Sequence, residues 1–258
     1  EFNDTYNLGS GDVAVTQSQV FLAAAASPAT TSFNNSAVDY ELTGSGITAG
    51  SLSKSGTGTV VLLNTNTYTG ATTINQGKLQ LGNGSTDGSI SSSASVTNNG
   101  ILEYNLSGSQ TNAYPISGTG SLVKKGFGTL TLTGANTYSG GTTVDGGLLV
   151  AGSTAMNGGP ITVTGGNQVS TSTLTGAGSI LNNTANTIVI TGDHTGFTGS
   201  FVHSAASNNT QFNSATSASQ NATYDLIAGE IIFSANGDYT VKFGSFSSSA
   251  GNIRGGNS

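Results

Sequence analysis

A long string that occurs twice constrains the fold of this chain more than any other feature. Residues 50–82 align without a gap with residues 120–152. Self-similarity at this scale is typical of repeat architectures, in which each unit buries its apolar face against its neighbours. The alignment matches Leu52/Leu122, Lys54/Lys124, Gly56/Gly126, Gly58/Gly128, Leu62/Leu132, Asn66/Asn136, Tyr68/Tyr138, Thr73/Thr143, Gly77/Gly147 and Leu79/Leu149.

A third, degenerate copy runs over residues 174–202. Its opening, Leu174 to Gly178, is similar to Ile116 to Gly120, and Phe197 falls near the tyrosine position of the repeat. The spacing therefore predicts that repeat-like structure continues beyond the two clear copies.

Each copy contains short strands joined by tight corners. Residues 129–133 alternate threonine and leucine, which directs Leu130 and Leu132 towards a core and the threonines outward. Glycine and asparagine break the run, after which residues 142–144 and 148–151 read as further strands. Short strands, sharp corners and no intervening helices predict an all-β parallel β-helix (β-solenoid). A β-sandwich is the alternative, but hairpin proteins seldom repeat so specific a string.

Composition excludes several classes of partner. Charged residues make up only 7% of the chain, against about 25% in typical domains. Six Lys and Arg residues in a chain of net charge −6 cannot line a phosphate backbone, so we expect no nucleic-acid partner. The absence of cysteine excludes a disulfide scaffold and a thiolate metal site. No apolar run approaches the roughly 20 residues of a membrane helix, so we expect no membrane insertion.

The two copies resemble a known family. Residues 122–149 carry Leu122, Lys124 and Gly126, then the strings GTL, LTG, NTY and TT, and finally Gly147. This pattern is similar to the autotransporter-associated β-strand repeat, also called the passenger-associated transport repeat, of bacterial type V secretion. The resemblance implies a secreted passenger built as a right-handed parallel β-helix, located outside the cell or on the bacterial surface, with the repeat associated with passenger export.

Catalytic chemistry finds little support in the sequence. Some parallel β-helices are polysaccharide lyases and hydrolases, which use clustered carboxylates. Asp39 and Glu41 are the one same-face acidic pair, and we interpret them as a solvated strand face. His194 and His203, with Asp193 beside the first, could bind a metal, but we expect surface residues. The sequence therefore predicts no catalytic, cofactor or metal site, and no enzyme.

Recurring positions of the repeat admit a structural interpretation. Tyr68, Tyr138 and Phe197 could stack on sugars, but their fixed place in each copy favours a structural stack beside the Asn-Thr corner. Three lysines, Lys54, Lys124 and Lys125, are too scattered to form a basic patch, and we expect them to be solvated.

Four apolar residues at outward positions are candidate surface contacts. Val61 and Leu63 stand where the second copy has threonine, and Leu148 and Val150 stand where the first has lysine and glutamine. Exposed apolar pairs can mark contacts with another subunit or partner. A loop of the same chain packed over them is an equally good explanation.

The chain divides into two regions. Residues 46–258 read as the solenoid, whereas residues 1–45 lack the repeat and predict an N-terminal cap or irregular first turns. Residues 13–27 are rich in alanine and end before Pro28, so we consider a helical cap. A cap is expected because an open solenoid end exposes core and unpaired strand edges.

Three functions remain open from the sequence. The first is a non-enzymatic passenger or stalk on the bacterial surface, structural or adhesive, that binds cell-surface or matrix components. The second is a subunit that stacks head to tail on copies of itself into a filament or matrix, since a contact that does not close produces fibres. The third is ice or glycan binding by rows such as Thr129, Thr131 and Thr133, which valine and leucine interrupt in the other copy.

Overall fold

Every regular element that the structure describes is a β-strand. The computed structural model describes residues 2–3, 17–151, 159–164, 168–171, 179–182, 188–190, 194, 196–204, 209–213, 221–228, 230–233, 245–248 and 252–255. The strands are β1 Phe2–Asn3, β2 Gln17–Leu22, β3 Thr30–Asn34, β4 Asp39–Gly44, β5 Ser51–Ser55, β6 Thr59–Leu62, β7 Thr72–Ile74, β8 Lys78–Leu81, β9 Val96–Asn98, β10 Ile101–Asn105, β11 Ser109–Asn112, β12 Ile116–Ser117, β13 Ser121–Lys125, β14 Thr129–Leu132, β15 Thr142–Val144, β16 Leu148–Ala151, β17 Ile161–Val163, β18 Gln168–Thr171, β19 Ser179–Asn182, β20 Ile188–Ile190, β21 Ser200–His203, β22 Asn209–Phe212, β23 Thr223–Leu226, β24 Glu230–Phe233, β25 Ser245–Ser248 and β26 Asn252–Gly255.

The strands form four parallel sheets. Sheet 1 has six strands in the order β1-β3-β5-β7-β9-β12, and sheet 2 has twelve in the order β2-β4-β6-β8-β10-β13-β15-β17-β19-β21-β23-β25. Sheet 3 is β11-β14-β16-β18, and sheet 4 is β20-β22-β24-β26. Neighbours in each sheet are never consecutive in the chain, so every turn of the coil lies directly on the previous one. The predicted all-β parallel β-solenoid is confirmed.

Register in sheet 2 stacks equivalent side chains from turn to turn. Leu62 pairs with Leu81, Leu81 pairs with Tyr104, and Tyr104 pairs with Lys124. The step along the chain differs from one pair to the next, so the turns are unequal in length. Alternate residues of β13 and β14 point inward, as their pattern of buried and partly exposed positions shows. The inward rows form a continuous apolar core along the axis.

The two sequence copies occupy different faces of the coil. The first copy places β5 and β7 in sheet 1 and β6 and β8 in sheet 2. The equivalent strands of the second copy are β13 and β15 in sheet 2, and β14 and β16 in sheet 3. Each copy therefore contributes four strands as two stacked pairs. The second copy is shifted by one face because the stretch of chain between equivalent positions does not make a whole number of turns.

The helical cap considered for residues 13–27 is wrong for the part that the structure describes. Residues 17–22 form β2, which pairs in parallel with β4 through Val20 and Leu42. Val20 and Leu22 pack against the core, so burial and backbone pairing outweigh the helix propensity of the alanines that follow. Residues 13–16 lie outside the described residues. Whether residues 1–45 act as a cap stays a prediction.

Among the described residues, no helix is long and apolar enough to cross a membrane.

The inward and outward directions within β14 can be tested by a matched pair of substitutions. Leu132 is buried, whereas its neighbour Thr131 is half-buried and points away from the core. Leu132→Asp should cost more than the ~2–5 kcal/mol of a core leucine truncation, because it also buries a carboxylate. Thr131→Asp should change the free energy of unfolding by less than about 1 kcal/mol. Thermal melting followed by circular dichroism measures both, and equal losses would contradict the assigned directions.

Candidate functional site

The repeat lysines are buried and join successive turns. The Lys54 ammonium donates hydrogen bonds to the backbone carbonyls of Ser55 (2.8 Å), Gly56 (2.8 Å) and Gln76 (3.4 Å). The first two carbonyls belong to its own corner, and the third belongs to the corner of the next turn. One cation therefore satisfies carbonyls on two neighbouring turns.

The second copy repeats this arrangement. The Lys124 ammonium donates to the carbonyls of Lys125 (2.5 Å), Gly126 (3.1 Å) and Gly146 (3.3 Å). Burial lowers the pKa of Lys124 to about 8, against an opposing effect of the Asp87 carboxylate. Because both lysines have no exposed surface, the expectation that they are solvated is wrong. Strand alternation already placed each on the same face as the core leucine two residues earlier.

A glycine in the next corner leaves room for each ammonium. Gly77 and Gly147 have φ values of +69° and +62°, a conformation that side chains disfavour. A Cβ atom at Gly77 would lie 2.9 Å from the Lys54 ammonium, and one at Gly147 would lie 2.9 Å from the Lys124 ammonium. We call each of these pairs, Lys54 with Gly77 and Lys124 with Gly147, a corner clamp.

The repeat asparagines also connect turns. Asn66 accepts a hydrogen bond from the backbone N–H of Ile47 (2.9 Å) and donates to the carbonyl of Ser89 (3.0 Å). Asn136 accepts in the same way from the N–H of Ile116 (3.1 Å). These residues bind neighbouring turns instead of facing solvent.

The repeat aromatics are buried beside these asparagines. The hydroxyls of Tyr68 and Thr72 lie 2.7 Å apart, and those of Tyr138 and Thr142 lie 2.5 Å apart. Phe197 is also buried, with its ring centroid 4.9 Å from that of Phe201. The structural interpretation of these three aromatics is therefore confirmed, and none presents a ring to a sugar.

Burial also controls the ionisation of the tyrosines. It raises the pKa of Tyr68 and Tyr104 well above the ordinary value, and that of Tyr138 to about 12. Tyr104 and Tyr114 share a hydrogen bond of 2.6 Å between their hydroxyls, and burial raises the pKa of Tyr114 as well.

The acidic pair considered for catalysis has backbone and side-chain partners. Asp39 accepts a hydrogen bond from the N–H of Thr59 (2.6 Å), one turn above. Glu41 lies 3.5 Å from the side-chain amide of Gln19. Both carboxylates therefore contact residues of neighbouring turns.

The two histidines are buried, so the expectation that they are surface residues is wrong. His194 has no exposed surface, and His203 is 2% exposed. The His203 Nδ1 atom lies 3.0 Å from both the Asn182 amide and the Thr210 hydroxyl. Within the described ranges no group of three metal-ligating side chains occurs, and Asp193 lies outside them.

The four candidate surface contacts lie on two separate sheets. Val61 belongs to β6 and Leu63 follows it directly, so both belong to the outer side of sheet 2. Leu148 and Val150 belong to β16 in sheet 3. All four are half-buried, and the structure does not bring the two pairs onto one surface. Their role as contacts stays a prediction.

An ion-pair cluster, which sequence reasoning missed, lies on the outer face of sheet 2. Glu103 accepts a hydrogen bond from the ammonium of Lys78 (3.4 Å) and forms an ion pair with that of Lys125 (3.6 Å). The two lysines come from the two flanking strands. The signal was absent from the sequence because the three residues are brought together only by the register of β8, β10 and β13. Lys125 itself is half-exposed, in agreement with the expectation that it is solvated.

Comparison with known proteins agrees with this geometry. The family model described as Passenger-associated-transport-repeat matches residues 52–81 and 122–151. The chain carries two passenger-associated transport repeats. The matches coincide with β5–β8 and β13–β16, the two segments that contain the corner clamps.

One curated relative is an autotransporter adhesin. The chain is 37% identical over 130 residues to the "Adhesin BmaC autotransporter" of Brucella suis biovar 1 (strain 1330). The match covers 49% of this chain and 4% of that protein, so it relates one segment of a much longer polypeptide to this chain. No solved structure matches the chain.

Replacing one clamp lysine tests the corner clamp against its exposed neighbour. Lys124→Met should lower the free energy of unfolding by about 1–3 kcal/mol, because the three carbonyls lose their donor. Lys125→Met removes the same charge but only a half-exposed ion pair, and should cost less than about 1 kcal/mol. Chemical denaturation of both variants makes the comparison. A Lys124→Met protein as stable as the wild type would show that the cost of burying the ammonium cancels its hydrogen bonds.

Stability should rise with pH above about pH 8 and fall again above about pH 10. The Lys124 pKa is lower in the folded chain than in the unfolded chain, where it is about 10.4, so unfolding takes up a proton in this range and stability rises with pH. Above about pH 10 the buried tyrosines stay protonated when folded but ionise when unfolded, so stability falls. Melting temperatures across this range measure the profile. Lys124→Met should reduce the rise and keep the fall; a rise of unchanged size would contradict the assignment.

Proposed function

We propose that this chain is a non-enzymatic, adhesive segment of an extracellular bacterial passenger. One observation carries the proposal: the polar groups of the repeat are used to hold turns together. The clamp lysines, the asparagines and the tyrosine hydroxyls all point inward, so binding is left to the outward rows and corners. A rigid rod with a constant interior and a variable exterior suits display of contact residues at a distance from the cell.

The comparisons support the same function. The transport repeats are passenger repeats by their family description, and the relative that matches half of this chain is named an adhesin. Adhesion implies partners among cell-surface or matrix components. Because the match covers a small part of that relative, the partner of this segment is a separate question.

The alternative is a subunit that polymerises end to end. Within the described residues, sheet 2 ends at β2 and β25, and each of these strands pairs with one neighbour only. Unpaired strand edges are templates for further strands. The two functions predict different particles in solution.

Negative-stain electron microscopy and sedimentation velocity over a concentration series separate the two. A passenger segment should remain as discrete rods of roughly 50 Å, given twelve stacked strands about 4.8 Å apart. Unbranched fibres that lengthen with concentration would contradict the passenger proposal in favour of the filament subunit.

Adhesion itself is tested by retention of coated beads. Beads carrying the folded chain should bind to at least one of a panel of host-cell, matrix-protein and glycan surfaces under flow. The matched control is beads carrying Leu132→Asp, which keeps the length and most of the composition but disrupts the rod. Retention no greater than this control on every surface would overturn the adhesive role.

A further inference from the structure

A single phenylalanine projects from the rod at the second repeat. Phe127 lies at the corner between β13 and β14 and is 91% exposed. An aromatic ring held in water gains nothing for folding, because the apolar surface remains hydrated. Aromatic residues, including phenylalanine, are enriched at protein interfaces.

The corner backbone determines which side chain projects. A Cβ atom at Gly128 would lie 1.9 Å from the carbonyl oxygen of Gly108, so the stacked turns admit only glycine there. Gly126 has a φ of +70° and would place a Cβ atom 2.3 Å from the carbonyl oxygen of Leu106. Between these two glycines, residue 127 is the corner position free to vary. The first copy has the same corner with Thr57, which is also exposed, so the fold does not require phenylalanine.

Exposed carboxylates lie at the corresponding corners of nearby turns. The backbone N–H of Leu148 donates to the carbonyl of Gly128 (3.2 Å), which stacks the next corner on this one. Asp145 is an exposed residue of that next corner and accepts from the Thr164 hydroxyl (3.1 Å). On the other side, Asp87 is also exposed and accepts from two backbone N–H groups of the neighbouring turn (2.7 and 2.9 Å).

Among the described residues, neither lysine adjacent to the tip forms an ion pair with Asp87 or Asp145. Lys124 is buried, with its ammonium on three backbone carbonyls, and it feels the charge of Asp87 from within the core. Lys125 belongs to the ion-pair cluster on the face of sheet 2. We call Phe127, Asp87 and Asp145 the Phe127 corner, in which an exposed aromatic ring has exposed carboxylates on nearby turns to either side.

We propose that the Phe127 corner binds a cationic side chain, an arginine or lysine on a basic segment of a partner protein. A cation is attracted to an aromatic face within about 6 Å of the ring centre. Stacked turns are about 4.8 Å apart, so the same cation is within reach of the Asp145 carboxylate. Arginine suits the corner best because its planar group stacks on rings and pairs with carboxylates. This inference rests on the adhesive function and names its partner class.

The two copies supply the matched variants. Phe127→Thr gives the second corner the tip residue of the first, and Asp145→Asn gives it the residue that the first copy has at Asn75. Both variants should melt at the wild-type temperature, because each residue occurs naturally in an equivalent corner. Thr57→Phe, made in the Phe127→Thr protein, adds an exposed ring beside Asn75 instead of an aspartate and leaves Asp39 as the carboxylate at that corner. It tests whether a ring without the equivalent of Asp145 is sufficient.

Binding is measured by biolayer interferometry on an immobilised peptide of alternating arginine and serine. Phe127→Thr, which leaves the net charge unchanged, should weaken binding by about 2- to 5-fold, the equivalent of one exposed cation–π contact. Asp145→Asn should also weaken it, and Thr57→Phe should restore less than half of the loss. A peptide of alternating glutamate and serine should not bind.

Three results would overturn the inference. The first is no binding of the wild-type chain to the arginine peptide. The second is equal binding by Phe127→Thr. The third is a Phe127-dependent interaction with immobilised neutral dextran that Asp145→Asn leaves unchanged, which would indicate a sugar instead of a cation. If beads coated with the wild type and with Phe127→Thr are retained equally, the adhesive function stands and the Phe127 corner has no part in it.

Discussion

The stacking of each turn directly on the previous one is the constraint on which the rest of this structure depends. A single turn, such as the one that runs from Leu62 to Leu81, cannot enclose its own core, so its inward side chains are buried only by the turns above and below. Parallel pairing along four sheets satisfies the strand backbone. The corners are the places where this ladder is interrupted, and there carbonyl groups need other donors.

The transport repeat supplies those donors from within the core. In each copy a lysine ammonium bridges two successive corners, and a glycine in the upper corner makes space for it. Both partners of the Lys54 clamp lie inside one copy of the repeat. This explains how the second copy maintains the same contacts although it is rotated onto different sheets. Each copy of the repeat therefore forms the same contacts whichever sheets its strands join.

The buried and the exposed positions of the repeat are under different constraints. Inward positions and corner glycines are constrained by neighbouring turns, whereas corner tips such as Thr57 and Phe127 are exposed and differ between copies. A surface that varies on a constant frame is what an adhesive rod requires.

The sequence by itself determined the strands of the two repeat copies, their inward leucines and the parallel solenoid, because alternation and repetition are local properties of the chain. It also indicated that Tyr68 and Tyr138 are structural, since their position recurs in each copy. It was wrong about Lys54, Lys124, His194 and His203, because charge and polarity alone predict exposure when the partners are unknown.

Only the tertiary structure showed that carbonyls of the next turn surround the clamp lysines, and that Glu103 lies between Lys78 and Lys125. Which residues become neighbours across turns depends on the length of chain in each turn. That length is not constant, as the unequal steps from Leu62 to Leu81 and from Leu81 to Tyr104 show. The repeat alone therefore does not predict which sheet a strand joins more than a few turns away.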